Sequence, residues 1–285
     1  MEILNENSSY PQQVSLILGF FDGVHAGHFD VIQNTANNCK KVVVTFSKSP
    51  AEYFKKEHYY IYSRKNNYHY IENLGVQYLY EQDFAKIANL SAEEYLEKLV
   101  KKFNPISITT GFNHTFGANR SGNPNFLEKN QKGFKYFCTP ATKIDEIIVS
   151  STKIKEFLNN GEIEKANKFL TRNFILESKV IEGAKLGRKL GYPTANMKYP
   201  KDIIKLPYGV YKVRVFDKPA VMNWGIKPTI GSEELIEIHI PNFDANLYNK
   251  DLKIEILSKI RNEIKFSSIE DLKLQIEKDV QECLK

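Results

Sequence analysis

Two textures of hydrophobic and polar positions succeed one another along the chain. In the first, short continuous apolar runs recur at residues 14–21 (VSLILGFF), 40–46 (KKVVVTF), 76–81 (VQYLYE) and 106–112 (ISITTGF). Runs of that length, without alternation, predict strands buried on both faces. Between them, residues 29–39, 64–75 and 91–103 carry apolar residues at helical spacing. Ser91 followed by Glu94 is a capping-box signature, and Gly75 marks a helix end. Strand, helix, strand, helix at this spacing predicts a parallel α/β sheet with crossover connections. Residues 150–170 read as two short helices parted at Asn160–Gly161. After residue 172 the pattern shifts to short, β-branched, alternating segments at 174–183, 208–216, 235–240 and 252–260, with turn residues between them. These predict an antiparallel barrel, and residues 267–284 predict a closing amphipathic helix with a serine cap. The division expected is therefore 1–172, an α/β domain, and 173–285, a small β-barrel domain.

Composition narrows the picture only slightly. The chain has 285 residues, 42% hydrophobic and 26% charged, enough for ordinary cores in two domains. A net charge of +6 suits a small polyanion such as a nucleotide as well as it suits nucleic acid. The basic residues are scattered in pairs such as Lys40–Lys41, Lys55–Lys56 and Lys101–Lys102, which reads as a solvated surface. Cys39, Cys138 and Cys283 are far apart and odd in number, against a disulfide framework or a zinc site. The N-terminal residues lack the basic start and apolar core of a signal peptide, and no apolar run reaches the roughly 20 residues that span a bilayer. A cytoplasmic, soluble protein with no membrane partner is expected.

The stretch GFFDGVHAGHFDVI, residues 19–32, follows the first strand. Open parallel sheets bind ligands at the carboxyl ends of their strands. Two imidazoles there, His25 and His28, beside a helix N-terminus, are suited to phosphate oxygens and to charge that builds up on them during transfer. Gly27 between them allows close backbone approach. Ser150, Ser151 and Thr152 open a second helix, where hydroxyls and unpaired N–H groups converge on an anion or simply cap the helix.

In the second half, EGAKLGRKLGYPTANM (182–197) places Gly183, Gly187 and Gly191 four residues apart with Lys185, Arg188 and Lys189 among them. It is not a Walker A loop, yet such a loop can wrap a triphosphate through backbone N–H groups and positive charge. Thr194 and Asn196 are two apart. On an extended strand they share a face, and their neutral oxygens suit Mg²⁺ together with phosphate. In LIEIHI, Ile236, Ile238 and Ile240 face one way, and Leu235, Glu237 and His239 the other. Glu237 is then either an exposed carboxylate or a general base for a hydroxyl.

These motifs carry a resemblance. GFFDGVHAGH is similar to the HxGH signature of the nucleotidylyltransferase superfamily. Its FDGVH form resembles the N-terminal module of bacterial bifunctional riboflavin kinase/FAD synthetases. VVVTF, GFNHTFGANRSGN and VSSTKIK follow in that family's order, and so do PTAN, GVY, WGIKPT, IEIHIPNFDANLY and KIRNEIKFSS. The resemblance implies a Rossmann-like parallel-sheet domain that adenylylates FMN to FAD and a barrel domain that phosphorylates riboflavin to FMN. It implies ATP as co-substrate and Mg²⁺ as cofactor. By the same resemblance, Gly19, Phe21, Asp22, Gly23, Gly27, Ser151, Thr152 and Lys155 meet ATP in the first domain while His25 and His28 act on its phosphates. In the second domain Gly183, Lys185, Gly187, Arg188, Gly191, Pro193 and Thr194 meet ATP, Thr194 and Asn196 hold the metal, and Glu237 is the base. Asn113, Tyr211 and Arg261 are placed near flavin.

Departures from the pattern cluster around the first site. Ser49 stands where the family has the histidine of Pro-His-Pro, Lys155 replaces an arginine and loses its bidentate fork, and His114 follows Asn113 where an aromatic residue is common. In the second domain Pro241–Asn242–Phe243 replaces Leu-Asp-Phe. Two alternatives stay open at this point. One is a riboflavin kinase whose first domain keeps only the fold. The other is a flavin-sensing barrel that binds RNA or a regulator, which the scattered charge and the paired PTAN and Glu237 disfavour.

Overall fold

A computed structural model describes residues 1–36, 38–182, 187, 191–227, 233–243 and 245–285. They form two compact units, Met1–Ser151 and Thr152–Lys285, each described by itself below.

In the first unit a parallel sheet has the order β1-β4-β3-β2-β5-β6. Its strands are β1 (Glu2–Leu4), β2 (Ser15–Leu18), β3 (Lys41–Phe46), β4 (Tyr78–Gln82), β5 (Ser107–Gly111) and β6 (Lys135–Thr139). Every residue of β2 is buried, as the continuous apolar run requires. Alternate residues feed opposite faces. Leu16, Leu18, Val42 and Val44 join Leu96, Leu99 and Phe103 of helix α4 (Ala92–Phe103) in one core. Ile17, Val43 and Leu79 join Val31 and Ile32 of α1 (Ala26–Gln33) and Ile71 of α3 (Arg64–Asn73) in the other. Truncating any of the buried leucines to alanine costs about 2–5 kcal/mol.

The predicted capping box of α4 is present, Ser91 Oγ accepting from Glu94 N–H, and Ser63 caps α3. Gly75 adopts a left-handed φ of 79° just past α3, as its position predicted. Three short elements lie outside the predicted segments: β1, α2 (Pro50–Tyr53) and α5 (Pro124–Lys129). The edge strand β6 was also missed. A short antiparallel pair, β7 (Lys143–Ile144) and β8 (Ile147–Ile148), precedes α6 (Ser151–Asn159). The first strand is shorter than the apolar run suggested, because the chain turns at Phe21, whose φ is 58°.

The second unit is a closed antiparallel barrel in the order β10-β13-β12-β11-β14-β9. Its strands are β9 (Phe174–Ile181), β10 (Ala195–Met197), β11 (Gly209–Val215), β12 (Lys218–Lys227), β13 (Glu233–His239) and β14 (Asp251–Asn262). Helix α7 (Ile163–Leu170) packs against β9 and β14, and Gly161 makes the predicted break before it at φ 74°. Tyr211, Val213, Met222, Trp224, Ile236 and Ile238 fill the interior. The closing helix α8 (Ile269–Leu284), capped by Ser268, lies over β11 and β12, where Cys283 and Val280 meet Val210 and Val221. The cysteines form no disulfide. Among the described residues no helix is long and apolar enough to cross a membrane.

Candidate active sites

In the first unit the chain runs from β2 outward through β3 and β4, then returns to the other side of β2 with β5 and β6. The switch point lies between β2 and β5, where ligands of open parallel sheets bind. The 19–28 loop leaves β2 at that edge, and Asn113, exposed, lies in the turn after β5.

The loop is held in an unusual path. Phe21, Gly23 and Val24 all have left-handed φ, of 58°, 86° and 41°. Such conformations cost about 1 kcal/mol or more at a non-glycine residue and persist only where surroundings enforce them. Here the surroundings do so. Gly23 N–H donates to Asn67 Oδ1 on α3 at 3.1 Å, and the buried carboxylate of Asp22 accepts from Ile61 N–H at 2.9 Å. Asp22 Oδ2 also lies 3.9 Å from His58 Nε2, while Ser151 Oγ donates to the Asp22 carbonyl at 2.8 Å. Asp22 is thus a structural hub whose carboxylate points into the protein. His58, packed near Phe20 and Tyr60, is a residue that sequence reasoning passed over.

The path delivers His25 to the N-cap of α1. His28 N–H donates to His25 Nδ1 at 3.4 Å and His25 N–H donates to His28 Nδ1 at 3.3 Å, a reciprocal cap built from two imidazoles. The rings stack with centroids 3.7 Å apart. Since each Nδ1 accepts, each neutral ring carries its proton on Nε2. The two Nε2–H donors therefore belong to one stacked pair at a positive helix end. Gly27 has a steric role as well: a Cβ there would stand 3.3 Å from His25 Cε1.

Ser151 and Thr152 open α6, and Lys155 comes one turn later. Ser49 caps α2, with its Oγ accepting from Ala51 N–H at 3.2 Å. His114 sits stacked on Phe116, and burial pushes its imidazole down to about 4, so it stays neutral near pH 7.

In the second unit, Gly183, Lys185 and Arg188 lie outside the described residues. Gly187 is in tight contact: its carbonyl accepts from Tyr192 N–H at 2.8 Å, and an added Cβ would collide with the Tyr192 carbonyl. Gly191 has φ 89°. Pro193 accepts at its carbonyl from the ring of His239, 2.9 Å away, with Nδ1 as the donor. A cavity of about 320 Å³ opens beside Pro193 and Thr194, lined also by Ile238, Ile240, Phe243 and Tyr248.

Strand register brings the polar candidates into one row. Asn196 on β10 is paired with Glu237 on β13, Glu237 with Asn223 on β12, Asn223 with Val210 on β11, and Val210 with Arg261 on β14. Asn196 is buried; Glu237 and Asn223 are half-buried. Asn223 was not singled out from sequence, although an amide at the centre of the apolar VMNWG strand was a signal.

Arg261 is committed elsewhere. Its Nε and Nη2 donate to the buried Asp279 carboxylate of α8, at 2.9 and 2.7 Å, which ties the end of β14 to the helix. Tyr211, expected near flavin, does not face the row. It is fully buried inside the barrel, its hydroxyl donates to the Pro207 carbonyl, and burial raises its phenol well above the ordinary range. Its neighbour in the chain, Val210, is the one that faces outward on the row.

A histidine-capped loop at a sheet switch point and a polar row on a barrel fit a two-domain nucleotide-dependent transferase. Comparison with known proteins makes the class specific: residues 7–153 match a family model described as FAD synthetase, and residues 170–285 one described as riboflavin kinase. The chain belongs to the bifunctional riboflavin kinase/FMN adenylyltransferase family. The bifunctional enzyme of Haemophilus influenzae is 34% identical over 95% of this chain and 93% of its own length. That of Buchnera aphidicola subsp. Schizaphis graminum is 34% identical over 98% and 93%. A crystal structure described as a macrolide-efflux protein from Streptococcus pneumoniae superimposes with a TM-score of 0.91 at 26% identity, covering 99% of both chains.

Proposed function

We propose that this chain makes FMN from riboflavin on the barrel and FAD from FMN on the parallel-sheet domain, with the functional division at residue 172. The observation that carries the kinase assignment is the direct pairing of Asn196 with Glu237, a neutral oxygen ligand beside a carboxylate. Glu237 takes the proton of the terminal ribityl hydroxyl as that oxygen attacks the γ-phosphorus of ATP, and the bond to the β-phosphate oxygen breaks to release ADP. The cavity beside Pro193 and Thr194, with Phe243 and Tyr248 in its wall, suits an adenine ring. Gly187 and Gly191 shape the turn that leads to Thr194.

The described residues hold no cluster of His, Cys, Asp or Glu suited to a metal cage. Thr194 and Asn196 instead fit an ion that draws most of its ligands from phosphate and water, as Mg²⁺ does. When bound it would neutralise charge on the ATP phosphates.

FMN adenylylation needs no base, because the FMN phosphate is already an anion. Its oxygen attacks the α-phosphorus of ATP and pyrophosphate leaves. The stacked Nε2–H donors of His25 and His28 stabilise the charge on the phosphate oxygens, with Ser151, Thr152 and Lys155 at the start of α6 supplying further donors. Asn113 and Arg261 are proposed to border the two flavin positions. Three unpaired cysteines fit a reducing, cytoplasmic setting.

Product analysis tests this reading. Riboflavin with ATP and Mg²⁺ gives FMN, and FMN with ATP gives FAD and pyrophosphate. Glu237→Gln lowers FMN formation by about 10²–10⁴-fold while FAD formation from FMN persists. His28→Ala does the reverse, lowering FAD formation by about 10²–10³-fold. FMN without FAD from the wild-type chain would leave a kinase alone.

A further inference from the structure

The outward positions of β12 are Val221, Asn223 and Gly225. Val221 lies under the closing helix, in a cluster with Val210, Val280 and Cys283. Gly225 lies under the Glu263 carboxylate, which a Cβ at that position would strike. Between these covered positions Asn223 is half-buried, and its side-chain amide has no hydrogen-bond partner among the described residues. Register places Glu237 on one side of it and Val210 on the other, with Arg261 one strand beyond. Asn223 is thus the polar floor of a slot bounded along the strand by α8 and by Glu263, and across the strands by Glu237 and Val210.

Asparagine is depleted in strands, and a half-buried amide without a partner loses hydrogen bonds to water that nothing returns. A ligand that supplies them removes the cost. The acceptor of the kinase reaction carries a polyol, whose secondary hydroxyls adjoin the terminal one that reacts. Each hydroxyl both donates and accepts, and so does an amide. Directly opposed residues on antiparallel strands have Cβ atoms roughly 5 Å apart. A chain whose terminal hydroxyl meets Glu237 therefore passes its next hydroxyls over Asn223.

We propose that Asn223 binds the ribityl chain, Oδ1 accepting from and Nδ2 donating to secondary hydroxyls, and so holds the terminal hydroxyl against Glu237. This rests on Glu237 being the base. It makes the barrel selective for polyol-bearing acceptors over flavins with a plain alkyl alcohol. It also gives the flavin a direction, with the ring system toward Val210, Arg261 and the closing helix.

The experiment compares Asn223→Ala, Asn223→Ser and Glu237→Gln in the full-length chain. Asn223→Ala is expected to raise the KM for riboflavin about tenfold, with the KM for ATP unchanged. Asn223→Ser, which keeps one hydroxyl, recovers part of the loss. The alanine penalty shrinks for a riboflavin analogue lacking the secondary hydroxyl that the amide binds. An unchanged ATP KM in the same reaction shows that the barrel is folded. An unaltered riboflavin KM, or an equal penalty for riboflavin and every deoxy analogue, overturns the role of Asn223 and leaves Glu237 in place. Full kinase rate in Glu237→Gln removes the base, and the role of Asn223 with it.

Discussion

A single geometry gives His25 and His28 a structural job and, on the function proposed, a chemical one. The Nδ1 atoms cap the helix, and that use fixes the proton on Nε2 of each neutral ring. Phosphate binding through Nε2, as proposed, then needs no reorientation of either ring when substrate arrives. His114 illustrates the opposite case, a histidine whose surroundings keep it neutral. Its imidazole falls from 6.5 to about 4 through burial. The unfolded chain therefore binds a proton that the folded one refuses between those pH values, so the stability it contributes is present above pH 6.5 and is lost as pH falls toward 4. His114→Phe should flatten this dependence. Unfolding free energies from urea titrations at pH 7 and pH 4.5 should differ by about 2 kcal/mol less in the variant than in the wild type.

Elements decide which residues meet. The phosphate loop is legible in sequence because a buried strand, a glycine pair and two histidines follow one another. What holds the loop is not, since Asn67 and Ile61 come from a helix and a segment some forty residues on and carry no motif. The row across the barrel is similar. PTAN and LIEIHI each show a period of two, but their register against one another is set by strand pairing. Gly23 offers a test at this scale. Its φ of 86° is left-handed, and an added Cβ would stand 2.8 Å from Ile61 Cδ1. Gly23→Ala is expected to lower stability by about 1–2 kcal/mol in thermal unfolding and to depress FAD formation while FMN formation is kept.

At the scale of the whole chain, the two reactions form a sequence in which the product of one site is the substrate of the other. The residues proposed for one site are not those proposed for the other. An equimolar mixture of Glu237→Gln and His28→Ala chains should therefore convert riboflavin to FAD, after a lag in which free FMN accumulates. Chromatography of a time course checks it: no FAD from the mixture would mean that FMN does not pass through solution.

The sequence by itself determined the fold class, most of the long elements and the motifs GFFDGVHAGH, PTAN and LIEIHI, because local periodicity and short motifs encode them within a few residues; the ten-residue strand β12 lay outside the predicted segments. Only the tertiary structure decided that Tyr211 is core, that Arg261 is clamped by Asp279, that Asp22 is a hub and that Asn223 lies beside Glu237. Those four depend on register, facing direction and burial, which are set by which strand or helix packs beside each residue. That information comes from the assembled sheet and barrel, where residues distant in the chain become neighbours.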